Sequence, residues 1–190
     1  MRSTSAYALA VVVLLLAGSG VGPRTAHAEE SRDIVSELLP DAPPAPAFKA
    51  RTLEGKTVEL AALLAKGPVV LDFWATWCKP CVQALPELQR VYEKWTARGV
   101  TIVGISEDGP RNQSKVRPFA SRYRLTYPLT LDEDGSLQAA YHVRSLPTTF
   151  VIDRRGRIVH VEQGYRPGLE TELDEALRAV FADSTTEGGE

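Results

Sequence analysis

The stretch Val69-Val70-Leu71-Asp72-Phe73-Trp74-Ala75-Thr76-Trp77-Cys78-Lys79-Pro80-Cys81 decides the fold of this 190-residue chain. Its first six residues follow the turn signal Gly67-Pro68 and are β-branched, aromatic or apolar apart from Asp72, so they predict a central strand. From Cys81 to Trp95, apolar residues recur at steps of three or four, which predicts one face of a helix. The only two cysteines of the chain therefore lie where a strand passes into a helix.

This position favours a reactive thiol. Pro80 suits the first turn of a helix, where a missing N–H costs nothing. We expect Cys78 at or just before the helix N-terminus, where unpaired N–H groups and the helix dipole favour a thiolate, and Lys79 adds a positive charge. Cys81, one turn deeper, should be less exposed. We interpret Cys78 as the attacking sulfur and Cys81 as the resolving sulfur of a thiol–disulfide oxidoreductase.

Asp72 is a carboxylate in an otherwise apolar strand. Its neighbours should desolvate it and raise its pKa toward neutrality. It precedes Cys78 by six residues, close enough to exchange a proton with the Cys81 sulfur through a water. The alternative is a carboxylate at the rim that only hydrogen-bonds backbone. We favour a catalytic role because an unpartnered buried carboxylate is costly in free energy.

Residues 1–28 are typical of an export signal. Arg2 precedes an apolar run at Ala6–Ala17, and Ala26-His27-Ala28 matches the small-x-small pattern of a signal peptidase site. The run is too short for an ordinary membrane span, although an uncleaved N-terminal anchor stays open. Either way we expect a periplasmic protein, in a compartment where disulfides persist.

The rest of the chain has the composition of one soluble domain. Residues 1–28 carry two arginines and no acid, so their removal changes the net charge from −2 to −4. This mildly acidic balance, without a basic cluster, argues against nucleic-acid binding. We expect residues 29–46 to be a charged lead and proline-rich linker, 47–182 to be the folded domain and 183–190 to be a disordered tail. We expect a monomer.

Strands and helices alternate along the expected domain. Besides the strand at 69–74 and the long helix after it, the pattern predicts a hairpin (48–52 and 57–60), a helix (60–66), a strand (99–106), a helix (114–124), a strand (127–132), a helix (136–141), a hairpin (148–153 and 158–163) and a closing helix (169–181). Ser136 is expected to cap its helix, and Pro86 to kink the long one. This order predicts an α/β three-layer domain.

Two motifs in this order resemble those of the thioredoxin superfamily. They are Phe73–Cys81, with its Cys-x-Pro-Cys pair, and Leu146–Asp153, with its Pro-Thr step. Over about residues 42–181 the chain is similar to the exported TlpA/ResA-type thiol–disulfide oxidoreductases. The resemblance implies a thioredoxin-like three-layer sandwich with a central mixed sheet, helices on both faces, an N-terminal hairpin and an inserted strand–helix unit around residues 100–131.

The resemblance also implies roles outside the cysteines. It implies a cis Leu146–Pro147 peptide that faces the cysteine pair, where the Leu146 backbone pairs with a substrate strand; otherwise Pro147 only starts an edge strand. Trp77 would offer apolar contact to a partner or else fill the core. Lys79 would raise the redox potential, whereas Pro80 matches reducing relatives, so the pair would tune it to an intermediate value.

This chain departs from the pattern of that branch at Lys79, between the cysteines, and at two further positions. Many members carry Asn in the strand and Glu three residues after the second cysteine, where this chain has Asp72 and Ala84. Asp72 is therefore the expected proton-handling acid. The missing Glu weakens the transfer of a role in cytochrome c maturation.

The sequence thus predicts an enzyme that reduces disulfides of exported proteins and is itself re-reduced by a membrane dithiol donor, without cofactor or metal. The leading alternative is an oxidant or isomerase that installs disulfides. A Sco-like copper module is disfavoured by the spacing of the cysteines and the ordinary surroundings of His142 and His160. A purely structural disulfide is disfavoured by its short loop, and a peroxidase by the lack of a separate peroxidatic cysteine.

Overall fold

The computed structural model describes residues 42–186, with side chains to residue 183. The predicted signal segment, the charged lead and the first part of the proline-rich linker lie outside the described residues. Within the described part of the chain, no helix is long and apolar enough to span a membrane.

Seven strands and five α-helices make up the described domain. The strands are β1 (Lys49–Arg51), β2 (Thr57–Glu59), β3 (Val69–Trp74), β4 (Thr101–Ser106), β5 (Leu129–Leu131), β6 (Thr148–Ile152) and β7 (Ile158–Gln163). The helices are α1 (Leu60–Leu64), α2 (Lys79–Trp95), α3 (Gln113–Arg122), α4 (Ser136–Ala140) and α5 (Leu169–Thr186), and a 3₁₀ turn (Thr96–Arg98) follows α2.

The centre of the domain is a mixed five-stranded sheet in the order β5-β4-β3-β6-β7. Strand β3 lies in the middle, parallel to β4 and antiparallel to β6. All six of its residues are buried, because helices cover one face and the N-terminal hairpin with two short helices covers the other. This explains why its sequence is almost continuously apolar. The predicted three-layer sandwich is confirmed.

Alternation along β3 divides its side chains between two core layers. Val70 and Trp74 pack into the layer that contains α2, α3 and α5, whereas Leu71 and Phe73 pack against the hairpin, α1 and the residues around Tyr141. Because side chains of a strand alternate between faces, Asp72 emerges on the α2 side of the sheet.

The inserted unit consists of β4, α3 and β5. It places β5 at the edge of the sheet, where Thr52 of the hairpin forms an isolated antiparallel bridge with Thr130. The Leu53 N–H also donates to the Leu129 carbonyl. The hairpin therefore shields the edge strand, a common way to protect open strand edges.

Three details differ from, or extend, the sequence prediction. Gly135, not Ser136, is the N-cap of α4, and the Asp132 carboxylate accepts from the second and third N–H groups of that helix. Helix α5 runs to Thr186, so residues 183–186 of the predicted tail are helical; no glycine or proline interrupts the chain before Gly188. Pro86 lies within α2 on its exposed side. The kink expected there stays a prediction.

An ion cluster around the partly buried Asp174 joins α2 to α5. The Asp174 carboxylate accepts from the Trp95 indole N–H at 2.8 Å, contacts Lys94 Nζ at 2.7 Å and accepts from Arg178 at 2.8 Å. Partial burial alone would raise the pKa of Asp174, but the bonds from Lys94, Arg178 and Trp95 lower it to about 2. The ionised form therefore stabilises the folded protein.

We expect Asp174→Asn to lower the free energy of unfolding by about 1–2 kcal/mol at pH 7. Because the folded pKa is depressed, this advantage of the wild type is present above about pH 4 and fades as the pH falls toward 2. Urea denaturation at several pH values measures it. Glu175→Gln, at an exposed position of the same helix, is the matched control. An equal loss at pH 7 and pH 2.5 would contradict the ionic explanation.

Candidate active site

The two cysteines form a disulfide bond at the N-terminus of α2. Their Cα atoms are 5.3 Å apart. Cys78 is the N-cap residue, and Pro80 lies in the first turn, as the sequence predicted. The Cys78 sulfur accepts a hydrogen bond from the Cys81 backbone N–H at 3.2 Å. An N–H aimed at this sulfur, at the positive end of a helix, favours a thiolate on Cys78 when the bond is reduced.

The two sulfurs differ in their access to solvent. Cys78 retains 6 % exposure and lines a surface groove, whereas Cys81 is completely buried. The expected asymmetry is therefore confirmed. Cys78 is therefore the more accessible of the two cysteines.

The groove beside Cys78 combines apolar and charged walls. It is lined by Trp77, Cys78, Lys79, Pro80, Glu107, Gln138, Arg144, Ser145 and Leu146. Trp77 is 63 % exposed, so the alternative in which it fills the core is wrong. Lys79 and Arg144 are also exposed. The groove thus offers an aromatic surface beside the sulfur and two cations near it.

The loop before β6 forms another wall. The Leu146–Pro147 peptide is cis, as the resemblance implied, and Leu146 lines the groove with Cys78. Pro147 is buried and precedes β6, which lies between β3 and β7. The alternative in which Pro147 only starts an edge strand is therefore wrong. The substrate-binding role of this loop stays a prediction.

Asp72 is a buried acid beneath α2. It is 1 % exposed, and its Oδ1 accepts from the Thr149 hydroxyl at 3.1 Å. Burial raises the pKa of Asp72 to about 7, although the Thr149 bond opposes this. The alternative of a rim carboxylate bonded to backbone is therefore wrong. Burial, and then the charge of Asp72, raise the pKa of Tyr127.

A hydrogen-bond network that the sequence analysis missed holds the loop between β3 and α2. The buried Asp108 carboxylate accepts from the Thr76 N–H at 2.8 Å, from the Thr76 hydroxyl at 2.6 Å and from the Ser106 hydroxyl at 2.9 Å. Strands β3 and β4 are parallel, so the loops that follow them meet at one end of the sheet. The sequence signal that could have identified Asp108 is its position just after a predicted parallel strand, at the end of the sheet where such sites form.

Glu107 is the second residue that the sequence analysis missed. It is half-buried, it lines the groove, and its Oε1 is buried without a hydrogen-bond partner in the described structure. Burial, and then the charges of Asp132 and Asp108, raise the pKa of Glu107 to about 8. No pattern in the acidic loop 107–108 distinguishes this side chain from a solvated one.

The two histidines considered as metal ligands lie outside the groove. His142 is exposed in the turn after α4, and His160 is on the edge strand β7. Within residues 42–183, no three His, Cys, Asp or Glu side chains are grouped in a way that could hold a metal ion. The absence of a cofactor stays a prediction.

Comparisons with known proteins agree with this site. Residues 42–161 match the AhpC/TSA family. The chain is 32 % identical over 170 residues to the thiol-disulfide oxidoreductase ResA of Bacillus cereus, covering 90 % of this chain and 94 % of that one.

Solved structures show the same likeness. A thiol:disulfide interchange protein of the thioredoxin family from Chlorobium tepidum has a TM-score of 0.63 at 30 % identity, over 72 % of this chain and 95 % of that one. StoA from Bacillus subtilis has a TM-score of 0.60 at 29 % identity, over 71 % and 98 %. The chain therefore belongs to the AhpC/TSA family and, within it, to the thioredoxin-like thiol–disulfide oxidoreductases of the ResA type.

Proposed function

We propose that this enzyme is an exported reductase of protein disulfides that works through Cys78 and Cys81. The observation that carries the proposal is the disulfide at the N-terminus of α2, of which only the Cys78 sulfur reaches the groove. The names of its relatives support dithiol–disulfide exchange as the chemistry. We further propose that the protein acts as a monomer and binds no nucleic acid.

The first step is attack by Cys78. Its thiolate displaces one sulfur of the substrate disulfide and forms a mixed disulfide with the other. The Cys81 N–H, the helix N-terminus and the positive charge of Lys79 all favour the thiolate. Trp77 and Leu146 are proposed to hold the substrate segment in the groove, with Pro147 fixing the Leu146 backbone beside the sulfur.

The second step is resolution by Cys81. Its thiol is completely buried, so bulk solvent cannot take its proton directly. We propose that Asp72, on the sheet face beneath α2, takes this proton through a water. Its pKa of about 7 is near the value that suits a general base at neutral pH. The Cys81 thiolate then attacks Cys78, releases the reduced substrate and restores the disulfide.

The direction of the reaction is part of the proposal. The predicted export signal would place the enzyme in the periplasm, either free or tethered by an uncleaved segment, where disulfides persist. Its reducing power would come from a membrane dithiol carrier. Apocytochrome c is one candidate substrate, but Ala84, buried in α2, provides no acid at the position where many relatives carry Glu.

The equilibrium potential of the Cys78–Cys81 pair tests the direction. Pro80 favours reducing behaviour and Lys79 opposes it, so we expect a value below the biochemical glutathione poise of about −220 mV. Titration of the purified domain with glutathione and dithiothreitol measures it. A potential above about −180 mV would instead identify an oxidant or isomerase. Lys79→Gly should make the potential more negative.

The order of attack is tested by trapping. We expect Cys81→Ser to accumulate mixed disulfides on Cys78, because the resolving thiol is missing while the attacker remains. Cys78→Ser should accumulate none, since Cys81 is completely buried. Non-reducing gels and mass spectrometry of the adducts measure both. Adducts that form only in the Cys78→Ser variant would reverse the assignment.

The variant Asp72→Asn tests two effects of this carboxylate that can be measured separately, one on stability and one on the rate of resolution. Because the folded pKa of Asp72 is raised, the charged form destabilises the fold as the pH rises from about 4 through about 7. We expect the variant to be more stable than the wild type by about 2–4 kcal/mol at pH 8, and equally stable at pH 3.

The same variant should resolve mixed disulfides more slowly. The largest effect is expected above about pH 7, where Asp72 is ionised and can accept a proton. Stopped-flow resolution of a preformed Cys78 adduct, followed against pH, measures the rate. A stabilised variant with an unchanged pH–rate profile would remove Asp72 from the mechanism.

A further inference from the structure

Glu107 faces the groove from the loop after β4, whereas Cys78 faces it from the N-terminus of α2. Displacement at sulfur is in line, so the leaving sulfur of a substrate lies beyond the attacked one, about 4 Å from the Cys78 sulfur. A substrate disulfide attacked by Cys78 therefore occupies the groove that Cys78 lines. Besides residues 77–80, this groove is lined by Glu107, Gln138 and the loop Arg144–Leu146.

Glu107 is the one carboxylic acid among the groove-lining residues of the described chain. The same groove carries the cations Lys79 of α2 and Arg144 of the loop before β6. Burial, and then the charges of Asp132 and Asp108, raise the pKa of Glu107 to about 8. The side chain is therefore mostly protonated at neutral pH, with a buried oxygen that no described group engages.

We propose that Glu107 donates a proton to the sulfur that leaves the substrate disulfide when Cys78 attacks. The inference rests on the proposed function and deepens it. The new bond joins Cys78 to one substrate sulfur as the old disulfide bond breaks. Both electrons of the old bond go to the leaving sulfur, which takes the Glu107 proton and departs as a thiol. In the reverse direction, the Glu107 carboxylate accepts the proton of an incoming thiol.

The two acids with raised pKa values would then act on different thiols: Asp72 on that of Cys81 and Glu107 on that of the substrate. Asp72 is buried on the side of the sheet that α2 covers, and Cys81 of α2 is buried as well, whereas Glu107 lines the groove that Cys78 also lines.

The test compares two disulfides whose leaving thiols differ in acidity. The thionitrobenzoate that leaves 5,5′-dithiobis(2-nitrobenzoic acid) is a weak base and gains little from a proton donor, whereas the more basic alkyl thiolate that leaves glutathione disulfide is assisted by one. Reduced wild type and Glu107→Gln are each reacted with both in single-turnover experiments, followed by absorbance or tryptophan fluorescence. Glutamine has nearly the same shape as the glutamic acid that it replaces. The substitution breaks no described hydrogen bond at Glu107 Oε1, because that atom has none.

With glutathione disulfide at pH 7 we expect Glu107→Gln to react about tenfold more slowly. This is less than the usual contribution of general acids, because a thiolate leaves without help more readily than an alkoxide. With the aromatic disulfide we expect the two rates to agree. Since Glu107 loses its proton through about pH 8, the wild-type advantage should fade above that pH. Glu133→Gln, exposed and outside the groove, should match the wild type throughout.

Equal slowing with both disulfides would overturn the proposal, because it would show an effect on Cys78 rather than on the leaving group. No slowing with either would also overturn it. Failure of the wild type itself to reduce either disulfide would instead contradict the proposed function.

A second variant tests the same idea without changing Glu107. Asp132→Asn removes one of the charges that raise the pKa of Glu107 while keeping an acceptor for α4. We expect Asp132→Asn to react faster with glutathione disulfide than the double variant Asp132→Asn/Glu107→Gln. The pH above which this rate advantage disappears should be lower than the pH at which the wild type loses its advantage over Glu107→Gln. An unchanged pH would contradict Glu107 as the titrating donor.

Discussion

Burial of β3 between two core layers is the constraint on which the site depends. With both faces covered, this strand cannot shift without moving an entire row of side chains, so the residue at which it ends is fixed. The chain then has four residues in which to leave the sheet and start α2. Asp108 holds this turn by accepting both the N–H and the hydroxyl of Thr76, two residues before Cys78. The Cys78 sulfur is thus positioned by the strand on one side and by the start of α2 on the other.

The same arrangement explains the two raised pKa values. Asp72 belongs to the buried strand and is raised mainly by desolvation, which the Thr149 hydroxyl only partly offsets. Glu107 lies at the end of the neighbouring strand, where partial burial combines with the carboxylates of Asp132 and Asp108. Both carboxylates also stabilise the structure, since Asp132 accepts from N–H groups in the first turn of α4 and Asp108 accepts from Thr76. These acids of the β4 and β5 loops therefore also contribute to the raised pKa of Glu107.

Much of this could be predicted from the sequence, because the decisive features are local. The apolar run of β3, the helical period after Cys81 and the proline of the first turn fix the strand, the helix and the place of the cysteines. Asp72 could be recognised since an acid in a buried strand has few ordinary explanations. The cis peptide before Pro147 and its approach to the groove came from the family resemblance and not from periodicity.

Glu107 and Asp108 escaped the sequence analysis for a physical reason. Adjacent acids after a strand usually indicate a solvated loop, and their local pattern does not show that one is fully buried and the other faces a groove. That distinction depends on Thr76, Asp132 and the loop before β6, which are remote in sequence. Hydrogen bonds from Thr76 and Ser106 compensate the burial of Asp108, whereas Glu107 Oε1 is buried without a described partner. A buried polar atom without compensation costs free energy, and it arises only when segments remote in sequence come together in the fold.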